Sequence, residues 1–313
     1  MKTLPDIMLL GPTAVGKSSV ALELAELLGG EIISADSRQC YREVNIGTAT
    51  PSAGERERVP HHNIGILDPK ERDSAADFCE RARAWAEGIR ARARKVLYVG
   101  GSTLHLQCLL QPFDEVPEAD EENRDALEKR LEREGVEPLY GELREVDPDY
   151  ARQMDGMNPQ RIVRALDVWM QTGRPFSSFH TGGEVQPPDH IAVFGLRRER
   201  EELYRRINLR AKRMAEEGLV EEVERLLEAG YTTDDPGLNT VGYREPAAFL
   251  RGEISREEMV RRIQARTRRY AKRQLTWFRR WDFIRWVDAD GQSPAEITRT
   301  IADKRLAAKS NKD

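Results

Sequence analysis

The sequence predicts an α/β fold, a P-loop NTPase-like parallel sheet core with a small all-helical insertion domain. Three observations predict it. First, Gly11-Pro-Thr-Ala-Val-Gly-Lys-Ser18 is a GxxxxGKS phosphate loop, set between the apolar run Asp6–Leu10 and a helical pattern over Lys17–Leu28. Second, the first hundred residues alternate strand and helix signals, which implies a parallel sheet with helices on both faces. Third, residues 120–172 are charged, strand-poor and helical in period, after which His190-Ile-Ala-Val-Phe-Gly-Leu196 returns to a sheet-like run.

In chain order, strands are expected at 6–10, 31–35, 95–99 and 190–196, and helices at 17–28, around 74–94, at 199–229 and at 255–280. Gln111-Pro-Phe-Asp-Glu-Val-Pro117 breaks the core pattern, and Phe176 to Pro188, with Gly182, Gly183, Pro187 and Pro188, reads as the linker back. The expected division is a first core segment 1–113, a helical insertion 114–188, and a core continuation 189–313 with basic C-terminal helices, fraying from Lys304. No internal repeat is visible.

A chain of 313 residues buries a full core without disulfides. Cys40, Cys79 and Cys108 lie far apart with no CxxC pair, so reduced thiols in a cytoplasmic compartment are expected. No apolar stretch reaches the roughly 18 residues of a membrane span, and Met1–Pro5 lacks the apolar core of a signal peptide. The net charge is −4, but Arg256 to Arg285 holds eleven Arg/Lys against three acids. That stripe suits a polyphosphate backbone, or is a solvated helix face whose arginines pair with acids elsewhere.

A phosphate loop surrounds two linked phosphates with backbone N–H groups and a helix N-terminus, with Lys17 as a point charge and Ser18 as a hydroxyl ligand for Mg²⁺. An NTPase also needs a metal-binding carboxylate at the end of a second strand. The third strand instead ends Tyr98-Val-Gly-Gly-Ser-Thr103. An acid does follow the second strand, in Ser34-Ala-Asp-Ser-Arg-Gln39. Asp36 there is a metal ligand, as in a small-molecule kinase, a general base for a nucleophile other than water, or a helix cap.

Seven motifs together are more specific than the loop alone: GPTAVGKS (11–18), ISADSRQCYREVNIGTATP (33–51), VPHHNIGILDP (59–69), VGGSTLH (99–105), NPQRIVRALDV (158–168), VGYREP (241–246) and KRQLTWFRR (272–280). In these, over Gly11 to about Trp286, the chain resembles the tRNA dimethylallyltransferase family. The resemblance implies transfer of a dimethylallyl group from dimethylallyl diphosphate to N6 of an adenosine adjacent to the anticodon, on the anticodon stem-loop of tRNA, with Mg²⁺ as cofactor and a monomer as the working form. It implies a phosphate site of Gly11, Pro12, Thr13, Ala14, Val15, Gly16, Lys17 and Ser18, joined by Arg206 and Arg210, with Ser18 as the metal ligand. It implies Asp36, Ser102 and Lys17 as catalytic residues. The implied tRNA contacts are Asp36, Ser37, Arg38, Gln39, Ser102, Arg124, Gln160, Arg161, Ile162, Val163, Arg164, Val241, Gly242, Tyr243 and Arg244. The competing reading is a P-loop kinase acting on a nucleoside or other small alcohol.

Thr103 and His105 depart from the family's pattern, and repacking of the strand-to-helix corner is the expected consequence. Cys40 stands where the family has an aliphatic residue and is read as a small hydrophobe. His61 and His62 show no partner acid and are expected in a turn. Trp277, Phe278, Trp281 and Trp286 are expected in the core.

Overall fold

A computed structural model describes residues 4–111, 116–179 and 185–307. The chain divides into two compact units, Met1–Gln111 with Val185–Asp313, and Pro112–Glu184. In chain order the elements are β1 (Asp6–Leu10), α1 (Lys17–Leu28), β2 (Gly30–Ala35), α2 (Ala53–Arg58), β3 (His61–His62), α3 (Ala75–Ala91), β4 (Lys95–Gly100) and α4 (Thr103–Leu110). The second unit supplies α5 (Glu121–Glu134), α6 (Val136–Val146), α7 (Pro148–Gln153), α8 (Pro159–Thr172) and a 3₁₀ turn at Phe176–Phe179. The first unit resumes with β5 (Ile191–Arg197), α9 (Arg200–Glu216), α10 (Leu219–Glu228), α11 (Arg244–Leu250), α12 (Arg256–Phe278), β6 (Arg285–Asp288) and α13 (Pro294–Ala307).

Six parallel strands form one sheet in the order β3-β2-β4-β1-β5-β6. Leu9 stands beside Val99 of β4 on one side and Phe194 of β5 on the other. β1 is buried along its whole length, as a strand covered on both faces must be. One face packs Ile7, Leu9 and Phe194 against α1, α9 and α13. The other packs Met8, Leu10 and Tyr98 against α3, α4 and the aromatic segment Phe278, Trp281 and Ile284. The tryptophans therefore serve packing, as their alternation with arginines suggests.

The structure changes three expectations. The single helix over 199–229 is two helices, because Gly218 takes φ +102°, a left-handed conformation that ends α9 and starts α10. His61 and His62 form a short edge strand beside Ile32 and Ile33, and His62 Nε2 lies 2.8 Å from the buried Glu31 carboxylate that sequence spacing gave no hint of. At Lys304 the chain is still helical, since α13 runs on to Ala307 and buried Arg305 donates from Nε to the Pro5 carbonyl at 2.8 Å; residues 308–313 of the expected frayed tail lie outside the described residues. The linker glycines Gly182 and Gly183 lie outside the described residues.

The second unit is helical. Leu127, Leu139, Leu143, Ile162 and Leu166 form its core. α8 starts where Asn158 accepts the Arg161 N–H at 3.1 Å with Pro159 at the first helical position, a start that needs no further partner.

Candidate active site

In an open parallel sheet, ligands bind beyond the carboxyl ends of the strands, where neighbouring connections diverge. β1 lies between β4 and β5. The segments leaving these strands carry Gly11, Gly101 and Arg198, and Asp36 follows β2. A cavity of about 970 Å³ opens here, with the phosphate loop, Asp36, Arg206 and Arg210 in its wall and Tyr270 and Gln274 of α12 beside them.

The phosphate loop owes its shape to its backbone. A Cβ at Gly11 would stand 2.7 Å from the Leu196 carbonyl, so glycine alone lets β1 turn there. Ala14 at φ +63° and Gly16 at φ +111° bend the chain into a concave run of amides ahead of α1. Its carbonyls are held from outside: Arg206 Nε donates to Ala14 O and Arg198 Nε to Val15 O, each at 2.9 Å. In a planar trans peptide the N–H points opposite the C=O, so these bonds turn the Val15 and Gly16 amides away from the two arginines. Lys17 Nζ donates to Gly11 O at 2.9 Å and Pro12 O at 2.8 Å. Burial, helped by the Arg210 charge and opposed by Asp36, pushes the Lys17 ammonium down to about 7. Burial also lowers Arg206 and Arg210. The loop side of the wall, with Lys17, Arg206 and Arg210, favours an anion. Ser18 is exposed in the first turn of α1, and no cluster of three or more His, Cys, Asp or Glu suited to a metal occurs among the described residues.

The acid turn follows β2. Asp36 Oδ1 accepts the Arg38 N–H at 2.9 Å, and no helix starts at this point, so the carboxylate closes a turn instead of capping a helix. Ser102 Oγ accepts the Ser37 N–H at 3.1 Å, and the Ser102 N–H donates to Ala35 O at 3.2 Å. Gln39 spends its amide inside the protein: Oε1 accepts from Ser34 Oγ at 2.8 Å, and Nε2 donates to Ala49 O at 3.1 Å and Thr48 O at 3.3 Å. Arg38 reaches Pro236 O at 2.5 Å. Cys40 is buried, and desolvation with the Asp73 and Asp36 charges pushes its thiol up to about 12, so the small-hydrophobe reading fits and a reactive thiolate does not.

The remaining expected residues separate by exposure. Gln160 and Arg161 are exposed on α8, while Ile162 and Val163 point into the core of their unit, which leaves them no side chain for RNA. Arg124 pairs with Glu128 at 2.8 Å, and Arg164 pairs with buried Asp167 at 2.7 Å. All four polar residues except Arg161 border a cavity of about 320 Å³ within that unit. In the first unit Arg244 is exposed and Val241 and Gly242 line the large cavity, but Tyr243 is fully buried with its hydroxyl donating to Glu222 at 2.6 Å.

A sequence profile described as IPP transferase matches residues 39–281, and one described as isopentenyl transferase matches residues 6–62. The chain belongs to the IPP transferase family. A tRNA dimethylallyltransferase of Geobacter metallireducens is 47% identical over 91% of this chain and 93% of its own, and that of Salinibacter ruber is 46% identical over 90% and 87%. Among solved structures, the tRNA isopentenylpyrophosphate transferase of Bacillus halodurans superposes with a TM-score of 0.70 at 35% identity, covering 99% of both chains. A eukaryotic dimethylallyltransferase acting on tRNA gives 0.79 at 26% identity, over 99% of this chain and 79% of that one.

Within this IPP transferase the sequence reading missed three residues at the site. Arg198 grips the loop, and its NH1 also donates to the Ala289 carbonyl. Tyr270 lines the cavity near Asp36, and desolvation of its hydroxyl with the Asp36 charge pushes its phenol up to about 12. Gln274 donates to Gly101 O and accepts from the Thr13 N–H. A signal for Gln274 was present: it falls on the same stripe as Met259, Ile263, Ala271 and Phe278, a polar side chain on a buried helix face.

Proposed function

We propose that this IPP transferase moves a dimethylallyl group from dimethylallyl diphosphate to N6 of the adenosine next to the anticodon of tRNA and releases diphosphate. One observation supports this most: a single cavity joins an anion-holding loop to Asp36, while β4, where an NTPase would carry its metal-binding acid, ends in Gly100-Gly101-Ser102. A loop that grips two phosphates beside a lone base suits displacement of diphosphate by a nucleophile other than water.

The chemistry assigns roles. The allylic carbon–oxygen bond breaks, its electron pair leaves on the diphosphate, and a bond forms from N6 to that carbon. Lys17, the Gly16 N–H, Arg206 and Arg210 meet the charge growing on the leaving oxygens, where fixed donors stabilise a transition state most. Asp36 accepts the proton that N6 sheds. Ser102 orients the Asp36 turn through Ser37. The exposed Ser18 hydroxyl would hold Mg²⁺, and the ion would supply charge neutralisation on the leaving group. Mg²⁺ is the cofactor of this reading, and a monomer in the cytoplasm its working form; among the described residues no helix is long and apolar enough to cross a membrane.

A looped-out adenine is reached without breaking a duplex. Gln160, Arg161, Arg164 and Arg124 of the second unit contact the RNA in this reading, with Arg244 and the backbone of Val241–Tyr243. On α12, no carboxylate pairs with Arg269, Lys272 or Arg273 among the described residues, so they are available to phosphates. Arg266 is not: it pairs at 2.9 Å with buried Glu245, which itself accepts the Gly242 N–H. The test mixes protein, Mg²⁺, dimethylallyl diphosphate and an anticodon stem-loop and follows RNA mass. A gain of one prenyl group supports the reading; an unchanged RNA with phosphate moved from ATP to a small alcohol would favour a kinase.

A further inference from the structure

Gln274 occupies an unusual place. It is buried at 3% exposure on α12, yet both ends of its amide are spent on backbone outside that helix. Oε1 accepts the Thr13 N–H at 2.9 Å, and Nε2 donates to Gly101 O at 2.8 Å. Thr13 opens the phosphate loop, and Gly101 opens the turn into α4. A Cβ on Gly101 would collide with Gln274 Nε2, so glycine there leaves room for the amide to enter. The residue after Gly101, Ser102, receives the Ser37 N–H beside Asp36 on its hydroxyl at 3.1 Å. Gln274 thus ties the leaving-group loop to the turn whose next residue braces the acid turn.

On the assignment of the reaction given above, we infer that Gln274 is a positioning residue that sets the distance between the diphosphate and the base turn. A side-chain amide suits this task because one planar group donates at one end and accepts at the other. Without it, the Thr13 N–H and Gly101 O lose their partner in a buried place, and the loop is free to relax relative to Ser102. Displacement of reacting groups by about 1 Å costs on the order of a hundredfold in rate. α12 also carries Arg269, Lys272 and Arg273, so RNA drawn to that helix bears on the element that aligns the two reactants.

The test compares wild type with Gln274→Met, which keeps size and burial, and Gly101→Ala, which pushes the amide out while leaving Gln274 in the chain. Steady-state kinetics on the stem-loop, inorganic pyrophosphate affinity by calorimetry and the thermal midpoint are measured for each, and for the double variant. The expected result is a fall in kcat of about a hundredfold with KM for RNA within about threefold, and pyrophosphate bound several-fold more weakly. The double variant should lose little beyond either single one, because both remove the same bridge. Should Gln274→Met fail to fold, Gly101→Ala alone carries the kcat and pyrophosphate comparison. Unchanged kcat and pyrophosphate affinity would overturn the inference. A rise in KM for RNA at constant kcat would overturn it too, by making Gln274 an RNA contact. If wild type itself transfers no prenyl group, the reaction assignment fails instead, and the pyrophosphate arm still reports whether Gln274 shapes the loop.

Discussion

The two sides of the cavity are built by different means. The phosphate loop is short-range: Gly11, Ala14 and Gly16 set its backbone, and Lys17, six residues from Gly11, satisfies its first two carbonyls. The acid turn is long-range. Its outer wall, Asn45–Gly47, hangs on one carboxylate, Glu222, which accepts all three N–H groups at 2.8 to 3.3 Å as well as the Tyr243 hydroxyl. The next residue supplies the Thr48 carbonyl, on which Gln39 from the base side and Arg210 from the phosphate side both rest. The backbone path of the leaving-group loop is therefore set by eight consecutive residues, with Arg198, Arg206 and Gln274 bracing it from far along the chain, whereas the nucleophile side exists only after the chain has folded.

Four changes break or sharpen this contrast. Asp36→Asn should have the largest effect, lowering kcat by about 10²–10⁴-fold while RNA affinity stays near wild type, because it removes the base and keeps the shape. Weak RNA binding with normal single-turnover rate would place Asp36 in recognition instead. Glu222→Gln should cost about 2–3 kcal/mol of stability in urea unfolding, since a buried anion that serves four donors is replaced by an amide with donors of its own. A neutral result would mean that the wall holds itself.

Lys17 allows a pH test. Its charged form is disfavoured in the fold, so its contribution penalises the free protein below about pH 7 and is relieved as pH rises from there toward the ordinary value of 10.5. Bound pyrophosphate favours the ammonium, so binding at pH 8 should take up close to one proton. Calorimetry in two buffers of different ionisation heat would count it, and Lys17→Met should abolish the uptake; equal uptake in both proteins would move the titration elsewhere. The smallest effect concerns His105, which stacks on Phe78 at 4.1 Å with its Nδ1 buried and unpartnered. Burial pushes its imidazole down to about 3, so wild type should lose stability as pH falls from about 6.5 toward 3. His105→Phe should lose less over that range and gain up to about 1 kcal/mol at neutral pH. A variant that is no more stable and keeps the same acid profile would mean that Nδ1 finds water.

The same contrast explains what the sequence revealed. The loop, its flanking strand and helix, and the absent acid after β4 were legible because spacing and glycine placement fix them locally. Asp36 was legible as an acid, but not its surroundings: the charge of Arg210 and the phenol of Tyr270 arrive from segments far along the chain. Motif membership also hid a division of labour. Ile162, Val163 and Tyr243 lie inside segments expected to touch RNA, yet burial commits their side chains to packing, and Gln39 spends its amide on Ser34 and the 48–49 carbonyls. Arg198 carried no signal, because an arginine after a strand says nothing of a carbonyl 183 residues earlier.

The central claim is that the phosphate loop holds a leaving group for displacement by nitrogen. Phosphorus NMR of one reaction containing the stem-loop, Mg²⁺, dimethylallyl diphosphate and ATP tests it most directly. The account expects free pyrophosphate to appear in equal amount with prenylated RNA while the ATP signals stay unchanged, and both products to vanish in Asp36→Asn. ADP accumulating in proportion to protein, with dimethylallyl diphosphate intact, would contradict it.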